Sequence, residues 1–397
     1  MGILERIKDI ELEMSRTQIN KATMSHICRL KARLCQLRTQ LLEPAPGSGG
    51  GKGAGFDVQK FGDARVALIG FPSVGKSTLL SQLTGTKSEV AAYEFTTLTC
   101  IPGTAHYNDA RIQILDLPGI IEGASEGKGR GKQVIAVAKS SDLVMIVLDA
   151  QKGDVHRPIL ERELEACGLR LNRQPPQIYF KPKKGGGVSF NSTVPLTQCD
   201  AKLVHGILQE YKIHNAEVLF REDASPEDLI DVIEGNRKYI RCLYVYNKID
   251  LLSIEEVDEL ARRPHSCVIS CNMEVNIDRL LAAAWEHLSL VRVYTKRRGE
   301  PPDFEEPVVL TKGRNGVTVE SACQTIHRDL TKELKYALVW GRSAKHSPQT
   351  CGLGHELDDE DVIQVVKRTA KEGTLQSLDL NPQSRAQIKK EKKPLKS

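Results

Sequence analysis

No apolar run in this sequence approaches the roughly 20 residues that a membrane-spanning helix needs, so no membrane span is expected. The opening stretch MGILERIKDIELE lacks the apolar core of a secretory signal and is charged from Glu5 onward. Arg6 stands where an N-myristoylation pattern on Gly2 wants Ser or Thr, and the final PLKS is no prenylation box. Paired CxxC spacing is missing as well: ten cysteines are scattered, with Cys267 and Cys271 the closest couple. Without a secretion signal, that scatter predicts reduced structural thiols rather than disulfides or zinc, and a cytoplasmic location. Excess charge is also slight. A net +5 does not identify a nucleic-acid partner, so the placement of the basic residues must carry that argument.

What is present fits a multidomain globular chain. Its 397 residues predict two to four domains, and 40% apolar with 27% charged residues supplies a sizeable core. Residues 1–43 read as a helical hairpin. Ile3, Ile7, Ile10 and Met14 form one stripe at helical spacing, and Ile27, Leu30, Leu34, Leu37 and Leu41 a second, with Asn20-Lys21 as the turn. Lys21, Arg29, Lys31, Arg33 and Arg38 meet no acid before Glu43. Both a solvated face and a surface for RNA or a partner stay open for them. Residues 44–60, beginning PAPGSGGGKGAG, read as a flexible linker.

From Arg65 short β-rich runs alternate with helical stretches. RVALIG (65–70), RIQILD (111–116), LVMIVLD (143–149), CLYVYN (242–247) and CVIS (267–270) predict buried strands of an α/β domain over 61–290. Roughly ninety residues separate Asp149 from Cys242, far more than the dozen or so a crossover needs. Within them, IYF, VSF, AEVLF and a helix starting SPEDLIDVI predict a small inserted α+β unit over 172–238. Ser225 and Pro226 suit its N-cap and first helical position. After Val291, three strands (VRVYTK, PVVLTK, KYALVW), a helix over 319–330 and a closing DDEDVIQVV predict a third unit over 291–367. The basic tail, 368–397, is too poor in apolar residues to fold.

The chemistry lies in three ordered loops. Gly70-Phe-Pro72-Ser73-Val74-Gly75-Lys76-Ser77, followed by Thr78, fits GxxxxGK[ST] between a strand and a helix. Such a loop wraps phosphates with backbone N–H groups; Lys76 reaches the β- and γ-phosphates and Ser77 binds Mg²⁺. Asp116-Leu-Pro-Gly119 ends the next clear strand, placing a carboxylate for Mg²⁺ and a Gly119 N–H for the γ-phosphate. Asn247-Lys248-Ile249-Asp250 selects the base. A carboxylate accepts from both the N1–H and the 2-amino group of guanine, which adenine cannot match, and such a site discriminates by a factor on the order of 10⁴ or more. Asn247 braces the loop, Lys248 lies against the base plane, and Ser270-Cys271-Asn272 offers backbone N–H groups to O6.

Between the first two loops, Tyr93-Glu-Phe-Thr96-Thr97 carries a threonine, Thr97 by choice over Thr96, whose hydroxyl can reach Mg²⁺ and whose N–H can reach the γ-phosphate. Lys76, Thr97 and Gly119 are thus the catalytic candidates, and Ser77, Thr97 and Asp116 the metal ligands. Ile120 follows Gly119 where Ras-type proteins carry a water-positioning Gln, and its side chain has no polar atom for that work. Slow hydrolysis is expected. GKGRGK (127–132) reads as a solvated switch loop, with an internal arginine finger at Arg130 the less favoured alternative.

With those residues in view, the chain resembles the developmentally regulated GTP-binding (DRG) proteins of the Obg-like class of P-loop GTPases, most closely their second subtype. GFPSVGKST, YEFTTLTCIPG, LDLPGIIEGA, IYFKPKKGGGVSFNST and YVYNKID carry the resemblance, which includes the insert. It implies an N-terminal helical region, a G domain, an inserted S5-domain-2-like unit and a C-terminal β-grasp TGS domain. It also implies binding of GTP and GDP, work near ribosomes or RNA, and a stabilising DRG-family regulatory protein. Some relatives use K⁺ at the phosphates, often with an Asn in the loop; that position is Ser73 here. Function is therefore read as a slow, partner-stimulated GTPase acting as a translation switch. A nucleotide-gated binding module with incidental hydrolysis and a microtubule-associated scaffold are the alternatives.

Overall fold

A computed structural model describes residues 2–42, 62–84, 101–117, 131–313 and 316–368. The chain divides into two compact units, residues 1–105 with 112–287, and residues 106–111 with those from 288 on.

The first unit opens with α1 (Ile3–Arg16) and α2 (Met24–Leu42). Their two apolar stripes meet each other: Ile7 and Ile10 pack on Leu30, Leu34 and Leu37, with Met14 at the edge. The turn is held by Asn20 and Thr23, each backbone N–H donating to the other's side chain at 3.1 and 2.9 Å. Next come β1 (Ala64–Ile69), α3 (Lys76–Leu83), β2 (Ile101–Tyr107), β3 (Ala110–Asp116) and α4 (Gly131–Ser140). Then follow β4 (Leu143–Asp149), α5 (Gly153–Ala166) and β5 (Leu169–Leu171). The insert supplies β6 (Ile178–Pro182), β7 (Val188–Ser192), α6 (Ala201–Glu210), β8 (Ala216–Phe220) and α7 (Pro226–Glu234). The chain returns through β9 (Lys238–Asn247), α8 (Ile254–Ala261), β10 (Ser266–Val268) and α9 (Ile277–Leu288).

Among the described residues the main sheet has the order β10-β9-β4-β1-β3-β2, with β5 also on β9. Every residue of β1 is buried and so is all of β4 but Asp149, the pattern of central parallel strands covered on both faces. Leu68 pairs with Asp116, Ile69 with Ile146 and Asp149 with Asn247. These registers bring the ends of β1, β3, β4 and β9 to one edge. The order turns at β1, flanked by β3 and β4, and a crevice outside the strand ends follows from that topology.

In the insert, β8 lies between β6, antiparallel to it, and β7, parallel to it. Ser225 caps α7 in a reciprocal box with Asp228, as the SPED signature predicts. One finding departs from the sequence reading. Cys28, Ala32 and Cys35 of α2 are built into the insert's core beside Val204, Ile207, Leu208, Val218 and Phe220. The basic face of α2 is correspondingly not all open. Lys31 pairs with Glu227, Arg33 with Glu210 at 2.9 Å and Arg38 with Glu11 at 2.8 Å. Acids distant in sequence, invisible to a local charge pattern, supply these partners. The nine described cysteines are all free and buried.

The second unit contains β11 (Leu290–Lys296), β12 (Pro302–Thr311), α10 (Val319–Ile326), α11 (Leu330–Glu333), β13 (Leu334–Trp340), β14 (Gln349–Cys351) and β15 (Asp361–Lys367). Its sheet order is β12-β11-β15-β13-β14, with β11 and β15 parallel at the centre. Val319, Ala322 and Cys323 of α10 bury against Val293, Ala337, Val339 and Ile363, a β-grasp arrangement. The expected helix over 319–330 stops early because His327 is extended (φ −162°, ψ 132°). β14 was not foreseen: three residues are too few to show a period. No described helix is long and apolar enough to cross a membrane.

Candidate nucleotide-binding site

The phosphate loop leaves β1 at Gly70 and enters α3 at Lys76. Gly75 takes φ +94°, and a Cβ there would lie 2.4 Å from Asn247 Nδ2. A Cβ on Gly70 would lie 2.4 Å from the Val147 carbonyl oxygen. Only glycine fits at either point without displacing backbone or a bracing side chain. Ser73 also sits at positive φ, 64°, and Pro72, Ser73, Ser77 and Thr78 are exposed while Val74 is buried.

Lys76 is 8% exposed and donates from Nζ to the carbonyls of Gly70 (3.0 Å) and Phe71 (2.8 Å). Burial lowers its pKa, opposed by attraction to Asp116. Ser77 Oγ donates to Asp116 Oδ2 at 2.9 Å. Burial raises the Asp116 pKa more than the Ser77 hydroxyl and the Lys76 ammonium lower it. The other carboxylate oxygen, Oδ1, is buried with no hydrogen-bond partner among the described residues. A hydroxyl and a half-satisfied carboxylate beside a buried ammonium form a hard oxygen donor set, which suits Mg²⁺ bound with phosphates.

Asn247 at the end of β9 ties three loops. Its Nδ2 donates to the Val74 carbonyl (2.8 Å), and its Oδ1 accepts from the N–H groups of Lys248 (2.8 Å) and Cys271 (3.1 Å). Lys248 takes φ 68° and its Nζ meets Asp149 Oδ2 at 2.8 Å. Burial alone would raise the pKa of Asp149, but the Lys248 ammonium and the Gln151 N–H outweigh it and hold the carboxyl low. Ser270, fully buried, donates from Oγ to Asp250 Oδ1 at 2.6 Å and accepts from the Met273 N–H at 3.2 Å. Cys271 is buried and Asn272 exposed. The structure therefore gathers residues 70–78, Asp116, 247–250 and 270–272 along one sheet edge. Thr96, Thr97, Gly119, Ile120, Lys128 and Arg130 lie outside the described residues.

Three contributors escaped the sequence reading. Asp149 looks like any strand end, Gln82 like any helix residue, and His156 has no motif. Gln82 Nε2 donates to the Cys271 carbonyl at 2.6 Å, and the His156 ring packs on Phe71 of the phosphate loop at 4.5 Å between centroids. No local pattern marks them, because their partners stand far off in sequence: Lys248 for Asp149, Cys271 for Gln82 and Phe71 for His156.

A GxxxxGK[ST] loop, a strand-end carboxylate and an NKxD loop on this sheet define a P-loop GTPase. Comparison with known proteins agrees. Residues 65–181 match the family model described as 50S ribosome-binding GTPase, 185–290 the C-terminal region of that domain, and 291–367 the TGS domain. Developmentally-regulated G-protein 2 of Arabidopsis thaliana is 68% identical over 94% of this chain and 93% of its own length. Developmentally-regulated GTP-binding protein 2 of Mus musculus is 64% identical over 93% of this chain and 100% of its own length. GTP-binding protein 1 of Schizosaccharomyces pombe is 58% identical over the same shares. The chain belongs to the developmentally regulated GTP-binding protein family, and is a GTPase with a C-terminal TGS domain.

Proposed function

We propose that this GTPase hydrolyses GTP slowly on its own and uses the nucleotide state to set its grip on a ribosome or other RNA-containing partner in the cytoplasm. The observation that carries the nucleotide part is the Asn247 side chain, which bonds the phosphate loop and both base-facing loops at once. Phosphate and base sites joined in this way favour one ligand, a guanine nucleotide. Gly70, Pro72, Ser73, Val74, Gly75 and Thr78 wrap the phosphates, Lys76 exchanges the Gly70 and Phe71 carbonyls for phosphate oxygens, and Asp250 accepts from the guanine edge. Ser77, Asp116 and Thr97 are assigned to Mg²⁺, which when bound neutralises charge on the phosphates. The buried orphan oxygen of Asp116 supports that assignment.

Catalysis rests on Lys76, Thr97 and the Gly119 N–H, with Ile120 leaving the attacking water without a side-chain guide. Turnover therefore depends on a partner or a second cation; K⁺ beside Ser73 is the candidate ion, and a DRG-family regulatory protein the candidate stabiliser. The division 1–43, 61–290 with insert 172–238, and 291–367 assigns nucleotide chemistry to the middle and partner contact to the flanks. No function is assigned to 368–397.

Multiple-turnover hydrolysis, measured with and without ribosomes and K⁺, should be slow for the chain alone and faster with a partner. Unchanged rates in every condition would refute partner stimulation and leave a nucleotide-gated module. Ribosome co-sedimentation should differ between GTP, GDP and a non-hydrolysable analogue, and weaken when 291–367 is deleted. Equal pelleting in all three nucleotides would remove the switch.

A further inference from the structure

We infer that Gln82 is a positioning residue for guanine O6: it holds the Cys271 carbonyl, and with it the Cys271–Asn272 peptide, so that the Asn272 N–H faces the base. This rests on the guanine reading of Asp250 and the 270–272 loop. The Cys271 residue is gripped from both sides. Its N–H donates to Asn247 Oδ1 at 3.1 Å, and its carbonyl accepts from Gln82 Nε2 at 2.6 Å. Of the two orientations of the Gln82 amide, only the one with Nε2 toward this carbonyl makes a bond; the reverse sets two acceptors face to face. The Gln82 Oε1 is itself buried and has no partner among the described residues, so the amide spends its one strong bond on Cys271.

The placement gives the bond its consequence. Gln82 lies on α3, whose first residues, Lys76 and Ser77, belong to the phosphate loop. One helix therefore carries phosphate ligands at its start and a clamp on the base loop near its end. The Ser270–Val275 bridge closes the loop behind Cys271. Without the Gln82 bond, the Cys271 carbonyl loses its donor and the Cys271–Asn272 peptide can rotate, moving the Asn272 N–H off O6; the N–H groups of Ser270 and Cys271 are held by the Val275 carbonyl and Asn247 Oδ1. The Asp250 contact to the other edge of the base does not pass through this peptide. Gln82 should thus tune one edge of guanine and leave the other alone.

Two analogues separate those edges. 6-Thio-GDP keeps the N1–H and 2-amino group but replaces O6 with sulfur, a poorer acceptor; IDP keeps O6 and lacks the 2-amino group. The full chain should prefer GDP to both. In Gln82→Met, which keeps length and apolar bulk but has no donor, the preference for GDP over 6-thio-GDP should shrink roughly fivefold, as loss of one neutral hydrogen bond implies. The preference for GDP over IDP should not move. In Gln82→Glu the carboxyl can donate to Cys271 only when protonated, so the preference over 6-thio-GDP should recover as the pH falls from about 8 to about 5.5, where a buried carboxyl gains its proton. Equal weakening of all three nucleotides, or a Gln82→Glu profile as flat as the native one, would overturn the inference. A native chain that does not distinguish GDP from IDP would instead overturn the Asp250 reading, and this inference with it.

Discussion

At the scale of single residues, Asp116 shows a site built against stability. Its carboxyl is pushed up from the ordinary 3.8 by burial, more than Ser77 and Lys76 pull it down. A raised folded-state pKa stabilises the fold fully below the unfolded value and loses that contribution as pH rises through the folded value. At neutral pH the nucleotide-free chain therefore carries an ionised carboxylate that the fold disfavours. Asp116→Asn should raise the stability of the nucleotide-free chain at pH 7 by about 0.5–2 kcal/mol. Thermal melts should show that gain shrinking toward acid pH, while GTP turnover falls about 100-fold or more. Gly75→Ala fails for a different reason. The positive φ and the 2.4 Å approach to Asn247 Nδ2 make the new methyl displace the brace, and GDP affinity should fall by at least about tenfold in titration calorimetry.

At the scale of elements, α2 separates charge from burial. Its pairs to Glu227 and Glu210 are exposed by roughly a fifth to a half of each side chain, a class of contact worth about 0–1 kcal/mol. Phe220, with no exposed surface, lies in the core that α2 completes. In urea unfolding, Lys31→Ala and Arg33→Ala should each shift stability by less than about 1 kcal/mol, and Phe220→Ala by about 3–5 kcal/mol. Much of this element was legible in advance. The 3.6-residue stripes of α1 and α2 and the SPED cap of α7 are local rules, and the structure obeys them. The second buried face of α2, with Ala32 fully buried, was not legible: alanine and cysteine are too small to mark an apolar stripe. The early end of α10 at His327 was missed because a helical pattern continues past the point where the backbone leaves it.

At the scale of the whole molecule, a buried charge ties α7 of the insert to β5 on the main sheet of its unit. β5 runs parallel to the start of β9, Leu169 opposite Lys238. Arg170 grips Asp231 of α7 with two bonds of 2.6 and 2.7 Å, and Arg237 adds a third contact at 3.3 Å. The Asp231 side chain is 2% exposed, so removing it leaves two arginines without their counter-charge. Asp231→Ala should cost about 3–5 kcal/mol. Proteolysis of the folded chain should then open first within 172–238 rather than in the second unit, because only the first unit contains this anchor.

The phosphate loop, the DLPG strand end and the NKID loop are readable from the chain alone because each is a contiguous run whose chemistry depends on residue type and local spacing. The same holds for buried strands such as LVMIVLD, where six consecutive apolar residues leave no exposed face. Tertiary structure decided what depends on partners far apart in sequence: that α2 belongs to the insert's core, that Glu210 and Glu227 answer its basic residues, and that Asp149 holds Lys248. It also decided that Gln82, near the end of α3, reaches the loop at Cys271. A hydrogen bond spanning 189 residues leaves no periodicity behind it; only the fold brings its donor and acceptor together.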